Sequence, residues 1–333
     1  MLVFFIHGVN TKDANYADIL IRKIRNINKK SDFSNTSTER KKVNAKYKRH
    51  MRYPLVKANL YSGFWGNLFN NKKQQAITCI KKDFSRACRQ HEEYHLLHRD
   101  MYRYKSYRYK FINEFLGDFL IYQNPRRGAE IRKTLYQQLN QFIEDHPNDN
   151  EIHFIAHSLG SVILWDLLFS EDLPKDDPGY HFRNILEKHK ICSITTMGSP
   201  LLFLKQMFDL DFSLINNCVM NLSTTNTNHL HKIRWVNIIH SSDMIAYPLK
   251  AAIEDEINSD ILFFDQYVWQ DGNGKERGLR TIGSVELAMV VGASDAHSSY
   301  FADNIDGSIT ARIIGYNLLG ETEKLFNRCV TPR

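Results

Sequence analysis

The chain has 333 residues, 43% of them hydrophobic and 24% charged, which is the range of a globular protein and excludes a disordered or collagen-like one. No apolar run approaches the roughly 18–20 residues that a membrane-spanning helix needs, and the start, Met1-Leu-Val-Phe-Phe-Ile-His-Gly, lacks the basic region and cleavage site of a signal peptide. Five cysteines without a C-x-x-C pair suit reduced thiols in a cytoplasm better than a disulfide framework. The net charge of +7 is unevenly spread: from Arg22 to Lys110 there are 24 Lys or Arg against 6 Asp or Glu, a local +18.

In chain order, Leu2-Val-Phe-Phe-Ile reads as a fully buried strand of a parallel sheet. Tyr16, Ile19, Leu20 and Ile24 then fall at helical spacing between Asp13 and Ile27. A polar, basic stretch follows over 31–52, and Leu55 to Leu60 reads as a second strand leading into the turn-rich Ser62-Gly63-Phe64-Trp65-Gly66. Between 91 and 112 tyrosines alternate with Arg and Lys. Such interleaving can mark a nucleic-acid stacking surface, but the same aromatics recur at i+3 and i+4 steps, and an amphipathic helix is the favoured reading. Residues 30–112 as a whole are expected to form a basic, mostly helical insertion, a cap beside the main body of a single domain spanning 1–333.

Ile131 to Ile143 has helical periodicity stopped by His146-Pro147, Ile152 to Ala156 reads as a strand, and Leu159 to Phe169 as a helix. Further strands are expected over Ile191–Met197 and Ile233–Ile239, a hairpin over 261–285 around Asp271-Gly-Asn-Gly-Lys, and a helix over Ile309–Phe326. Strands alternating with helices predict an α/β architecture with a mainly parallel sheet.

Ala156-His157-Ser158-Leu159-Gly160 lies between the expected strand and helix. It has the form of a nucleophile elbow, in which the residues two before and two after the serine must be small. A serine that merely caps a helix would give similar letters, but the flanking strand and helix favour the elbow. Serine needs a base oriented by an acid, in the chain order serine, acid, histidine. His297, in a polar loop before the terminal helix, is the expected base; His240 precedes the best acid rather than following it. Asp243, directly after the strand at Ile233–Ile239, is the favoured acid over Asp166, Asp209, Asp211 and Asp295. The oxyanion donors are expected to be the N–H groups of Leu159 and Val9, with Asn10 the fallback, because Gly8 lets the loop after the first strand approach closely. His7, Gly8, His157 and Gly160 are expected to support the elbow and that loop.

The runs Gly117-Asp-Phe-Leu-Ile-Tyr, Glu130-Ile-Arg and Ile155-Ala-His-Ser-Leu-Gly-Ser-Val-Ile-Leu-Trp-Asp-Leu-Leu resemble the DDHD-type intracellular phospholipases A1, lipase-like serine hydrolases of the α/β-hydrolase superfamily. The resemblance covers about 55 residues, 117 to 171. It implies an α/β-hydrolase fold, a triad of Ser158, Asp243 and His297, oxyanion donors at Val9 and Leu159, and cleavage of a lipid or other acyl ester. A soluble carboxylesterase or thioesterase would use the same triad. A non-catalytic hydrolase fold whose basic region docks nucleic acid or protein is the alternative from another class. The basic segment 22–110 is expected to meet an anionic membrane surface, placing a cytoplasmic protein peripherally at a bilayer. No cofactor is implied, and no metal, since no Cys/His spacing is that of a zinc site and His91 and His95 share a helix face without further ligands.

Overall fold

In the computed structural model, residues 1–27, 55, 57–90, 116–217, 232–268, 281 and 296–326 are described. Their centre is a six-stranded, all-parallel sheet built from β1 (Leu2–Ile6), β2 (Asn59–Gly63), β3 (Glu151–His157), β4 (Lys190–Met197), β5 (Ile233–His240) and β6 (Ile261–Val268), in the order β2-β1-β3-β4-β5-β6. All five residues of β1 are buried, as expected for a strand covered on both faces. Alternate side chains of the same strand enter different cores. Phe4 and Phe154 pack with Leu135, Leu139, Ile163 and Phe182, from the helices α4 (Pro125–Glu144), α5 (Leu159–Leu168) and α6 (Pro178–Leu186). Val3, Phe5 and Ile155 pack with Leu20, Ile24, Ile314 and Leu318, from α1 (Asp18–Asn26) and α9 (Ile305–Leu319). The remaining helices are α2 (Asn70–Gln90), α3 (Gly117–Gln123), α7 (Leu201–Phe208), α8 (Lys250–Ile253) and α10 (Thr322–Phe326). The architecture is therefore α/β, with helices on both faces of a parallel sheet.

From β1 the chain steps outward to β2, then returns past β1 to build β3 through β6 on the other side. The direction reverses between β1 and β3, and in open α/β sheets the crevice beyond the carboxyl ends of the strands at such a reversal is where ligands bind. The segments leaving those two ends are His7-Gly8-Val9 and Ser158-Leu159.

Several boundaries differ from the sequence expectation. The second strand begins at Asn59, not Leu55, because its register is set by pairing Leu2 with Asn59 and Ile6 with Gly63, while Leu55 is buried in the core beneath α9. Since β2 belongs to the sheet, the segment 30–112 is not wholly an excursion from the main body. The first arm of the expected hairpin, Ile261–Val268, pairs in parallel with β5; the turn and return arm lie outside the described residues. The terminal helix starts earlier, at Ile305, where the Asn304 side chain accepts the Gly307 N–H, and is interrupted at Gly320 with φ 72°. The tyrosine-rich stretch, His91, His95 and Asp295 lie outside the described residues. No described helix is long and apolar enough to cross a membrane.

Candidate active site

β3 runs directly into Ser158, which adopts φ 53° and ψ −128° before α5 starts at Leu159. This is a costly conformation for a residue with a Cβ, of order 1–3 kcal/mol, and the surroundings hold it in place. The Ser158 N–H donates to the Met197 carbonyl at 3.0 Å, and the Ser158 carbonyl accepts from the Ser161 N–H at 2.9 Å and the Ser161 hydroxyl at 2.6 Å. The small residues of the elbow are required sterically. A Cβ at Gly160 would lie 2.5 Å from the Ile6 carbonyl oxygen and 2.6 Å from that of His7, so only glycine lets α5 sit against the end of β1.

His297, which precedes α9, and Asp243, which follows β5, complete a continuous chain. His297 Nε2 stands 2.8 Å from Ser158 Oγ, and His297 Nδ1 stands 2.9 Å from Asp243 Oδ2. Asp243 accepts from every side: the Tyr300 hydroxyl donates to Oδ2 at 3.0 Å and the Ile245 N–H to Oδ1 at 3.0 Å. Burial raises the Asp243 pKa, but the hydrogen bond and charge of His297, with the Ile245 and Tyr300 donors, outweigh it and hold the carboxyl below its ordinary range. An ionised Asp243 accepts a hydrogen bond from His297 Nδ1–H, so Nε2 presents its lone pair to Ser158 Oγ, the tautomer a general base requires. The Tyr300 hydroxyl is itself fixed by accepting the His240 N–H at 2.9 Å.

His157 holds His297 from behind. Burial lowers its pKa from 6.5 to about 3, so the ring is neutral, and Nε2–H donates to the His297 carbonyl at 2.8 Å. Gly198, at φ 58°, leaves the space where the two loops meet: a Cβ there would lie 3.0–3.1 Å from Tyr300, Asp243 and His157.

The loop after β1 crosses Ser158 closely, since a Cβ at Gly8 would fall 2.4 Å from Ser158 Cβ. Asn10, at φ 58°, gives its N–H to Asp118 Oδ2 at 2.7 Å and is therefore already engaged. Among the described residues the N–H groups of Val9 and Leu159 have no hydrogen-bond acceptor, and Leu159, as the first residue of α5, has no carbonyl behind it within the helix. His7 anchors this loop to the segment after β2. Its Nε2 accepts the Trp65 N–H and its carbonyl the Trp65 indole N–H, both at 3.1 Å, and the two rings stack 4.8 Å apart.

Three of the alternative acids stand elsewhere. Asp166 accepts the Tyr122 hydroxyl at 2.5 Å, within a buried group in which Arg132 bonds Asp177 through two nitrogens at 2.8 and 2.6 Å. Asp209 ends α7 in a left-handed conformation, and Asp211 accepts the Ser213 N–H. Sequence reasoning did not assign Asp118, Trp65 or Tyr300 to the site; Gly117-Asp118 fell within the resembling stretch, and Trp65, read with the turn after the second strand and the basic segment, is instead buried against His7. One group of metal-ligating side chains comes together among the described residues, Glu151, His153 and Cys192, at the far edge of the sheet from the triad.

A scan against protein-family models finds no match to this chain, and a search of curated proteins finds none either.

Proposed function

We propose that the chain is a serine ester hydrolase of α/β-hydrolase type, similar to the DDHD-type phospholipases A1, that cleaves lipid or other acyl esters through an acyl-enzyme. The observation that carries this reading is the unbroken Asp243–His297–Ser158 hydrogen-bond chain ending on a nucleophile held at φ 53°. In this mechanism Ser158 Oγ attacks the ester carbonyl while His297 Nε2 takes its proton. The carbonyl oxygen becomes an oxyanion and receives the Val9 and Leu159 N–H groups, each such donor being worth about 2.7–4 kcal/mol where measured. Collapse expels the alcohol, which carries away the proton held by His297. Water then attacks the acyl-enzyme, gives a proton to His297, and the acid leaves as Ser158 recovers that proton. Asp243 stays ionised throughout and stabilises the imidazolium.

Two features favour an acyl or lipid substrate. Segments leaving the same sheet edge expose Phe203, Met207 and Phe208 on α7, and Met244 and Tyr247 after β5, with the Phe203 and Tyr247 rings 4.9 Å apart; exposed apolar groups of this kind suit acyl chains or a bilayer. The +18 segment includes α2, with six Lys or Arg against one Asp, and cationic groups near an anionic leaflet contribute about 1 kcal/mol each. This reading puts the enzyme peripherally at the cytoplasmic face of a membrane.

A fluorophosphonate probe should label the wild type at Ser158, and Ser158→Ala should lose both labelling and p-nitrophenyl ester turnover without unfolding. Labelling that persists in the variant would place the nucleophile elsewhere, and a wild type that never reacts would favour a binding module. The chain should also sediment with phosphatidylserine vesicles in a salt-sensitive manner. Tight nucleic-acid binding together with indifference to vesicles would assign the basic segment to another partner.

A further inference from the structure

The amino-terminal edge of the sheet, opposite the triad, carries polar side chains that ester hydrolysis does not use. On β3, Glu151 and His153 are two residues apart and face the same side of the strand. On β4 the register shifts: Ile152 pairs with Ile191 but His153 pairs with Ser193, so Cys192 is an extra residue. A bulge of this kind re-aims side chains out of strict alternation, and here it brings Cys192 beside His153. One ligand atom from each of Glu151, His153 and Cys192 lies within 4.8 Å of the other two.

The state of His153 points to a ligand. The residue is 1% exposed, its Nδ1 stands 2.7 Å from Ser193 Oγ, and its Nε2 is buried with no hydrogen-bond partner among the described residues. An unpaired buried polar atom costs about 1–3 kcal/mol and calls for an explanation. When Nδ1–H donates to Ser193 Oγ, the lone pair is left on Nε2. An outer oxygen fixing the tautomer in this way is the usual partner of a metal-ligating imidazole.

We propose that Glu151, His153 and Cys192 form a site for a divalent cation of borderline softness, zinc above all, through a carboxylate oxygen, an imidazole nitrogen and a thiolate sulfur. This donor set selects zinc over magnesium or calcium, which take oxygen ligands. Around a tetrahedral zinc at 2.0–2.3 Å the ligand atoms stand roughly 3.3–3.8 Å apart, so closing from 4.8 Å takes a contraction of about 1 Å, which rotation of the exposed Glu151 side chain can supply. Binding exchanges the Cys192 thiol proton, released to solvent, for a sulfur–metal bond. Three cations stand nearby: Lys190, paired with Glu151 in register, Arg234, paired with Ser193 in register and held by the Asn317 carbonyl at 3.0 Å, and the Met1 amine, which is ion-paired to Asp149 at 2.8 Å. The Glu151 carboxylate and the new thiolate balance the two charges of the metal itself, and Asp149 balances the Met1 amine. Ser158 lies five residues further along the chain, about 16 Å away at strand spacing, so the metal would clamp β3 to β4 beneath the elbow and take no part in ester cleavage.

The test uses the full chain, stripped with a chelator and titrated with Co²⁺ and then Zn²⁺. One equivalent of Co²⁺ should give a thiolate-to-cobalt charge-transfer band, Zn²⁺ should displace it, and either ion should raise the thermal midpoint. Cys192→Ser should abolish the band, and Ser193→Ala should weaken Zn²⁺ binding by about 10–100-fold through the loosened imidazole. Glu151→Gln, at an exposed position, should weaken it by at least as much and keeps the test decisive if Cys192→Ser fails to fold. A wild type with neither band nor thermal shift overturns the proposal. So does a band that survives Cys192→Ser, or Zn²⁺ affinity unchanged by Glu151→Gln.

Discussion

Replacing Gly8 with alanine adds one methyl group where the loop after β1 passes over the nucleophile. Gly8 is not among the residues at positive φ, so the backbone accepts alanine and the whole effect is steric. The added Cβ would sit 2.4 Å from Ser158 Cβ, 2.9 Å from the His157 carbonyl oxygen and 3.0 Å from Ser158 Oγ. Ordinary contact begins near 3.4 Å, so the loop and the elbow must separate by about 1 Å. Ser158 is fixed by the Met197 carbonyl and the first turn of α5, whereas the loop is held through Trp65 and Asp118, and the loop should therefore give way. That carries the Val9 N–H away from the oxyanion by a similar distance. A 1 Å misplacement of this kind costs about 10²-fold in rate, or about 2.7 kcal/mol of transition-state stabilisation, and overpacking should cost about 1–3 kcal/mol of stability. The assay is kcat/KM for a p-nitrophenyl ester together with the rate of fluorophosphonate labelling and the thermal midpoint. Near wild-type turnover at an unchanged midpoint would refute the placement of the oxyanion loop.

Asp243→Asn should lower kcat by about 10⁴, the loss seen when a triad imidazole is held in the wrong tautomer, while Asp209→Asn and Asp211→Asn should leave it within a small factor; the reverse pattern in ester kinetics would move the acid off β5. Stability should fall on acidification between pH 6.5 and 3, because His157 binds a proton in the unfolded chain at its usual 6.5 but in the folded protein only near 3, giving a slope of about 1.4 kcal/mol per pH unit from this residue. The depressed Asp243 pKa acts in the same direction, its contribution being present above the ordinary carboxylate range and lost as pH falls through the folded value. Denaturant unfolding across that range should show His157→Gln shallower than wild type by about one proton, and identical slopes would show that His157 is not buried neutral.

What the sequence determined by itself was local. The five apolar residues of β1 and the strand–serine–helix elbow at Ser158 are contiguous patterns whose meaning depends on side-chain period and turn sterics, so β1, β3 and α5 were readable within a residue or two. The small residue needed at position 160 follows from the same turn. Tertiary structure decided everything that depends on which strand lies beside which. Four described aspartates stood on or after plausible strands or helices, and Asp243 meets His297, 54 residues away in sequence, because the end of β5 and the segment before α9 come together in the fold. The bond from Asn10 to Asp118 spans 108 residues and that from Trp65 to His7 spans 58; neither leaves a periodic trace. Leu55 was misassigned for the same reason, since an apolar run shows that a segment is buried but not its partner or register. Positions 151, 153 and 192 match no metal-binding spacing, because a one-residue slip between β3 and β4 aligns them. Local propensity is written along the chain, whereas register and crossover come from the summed packing of distant segments, and that sum exists only in the folded sheet.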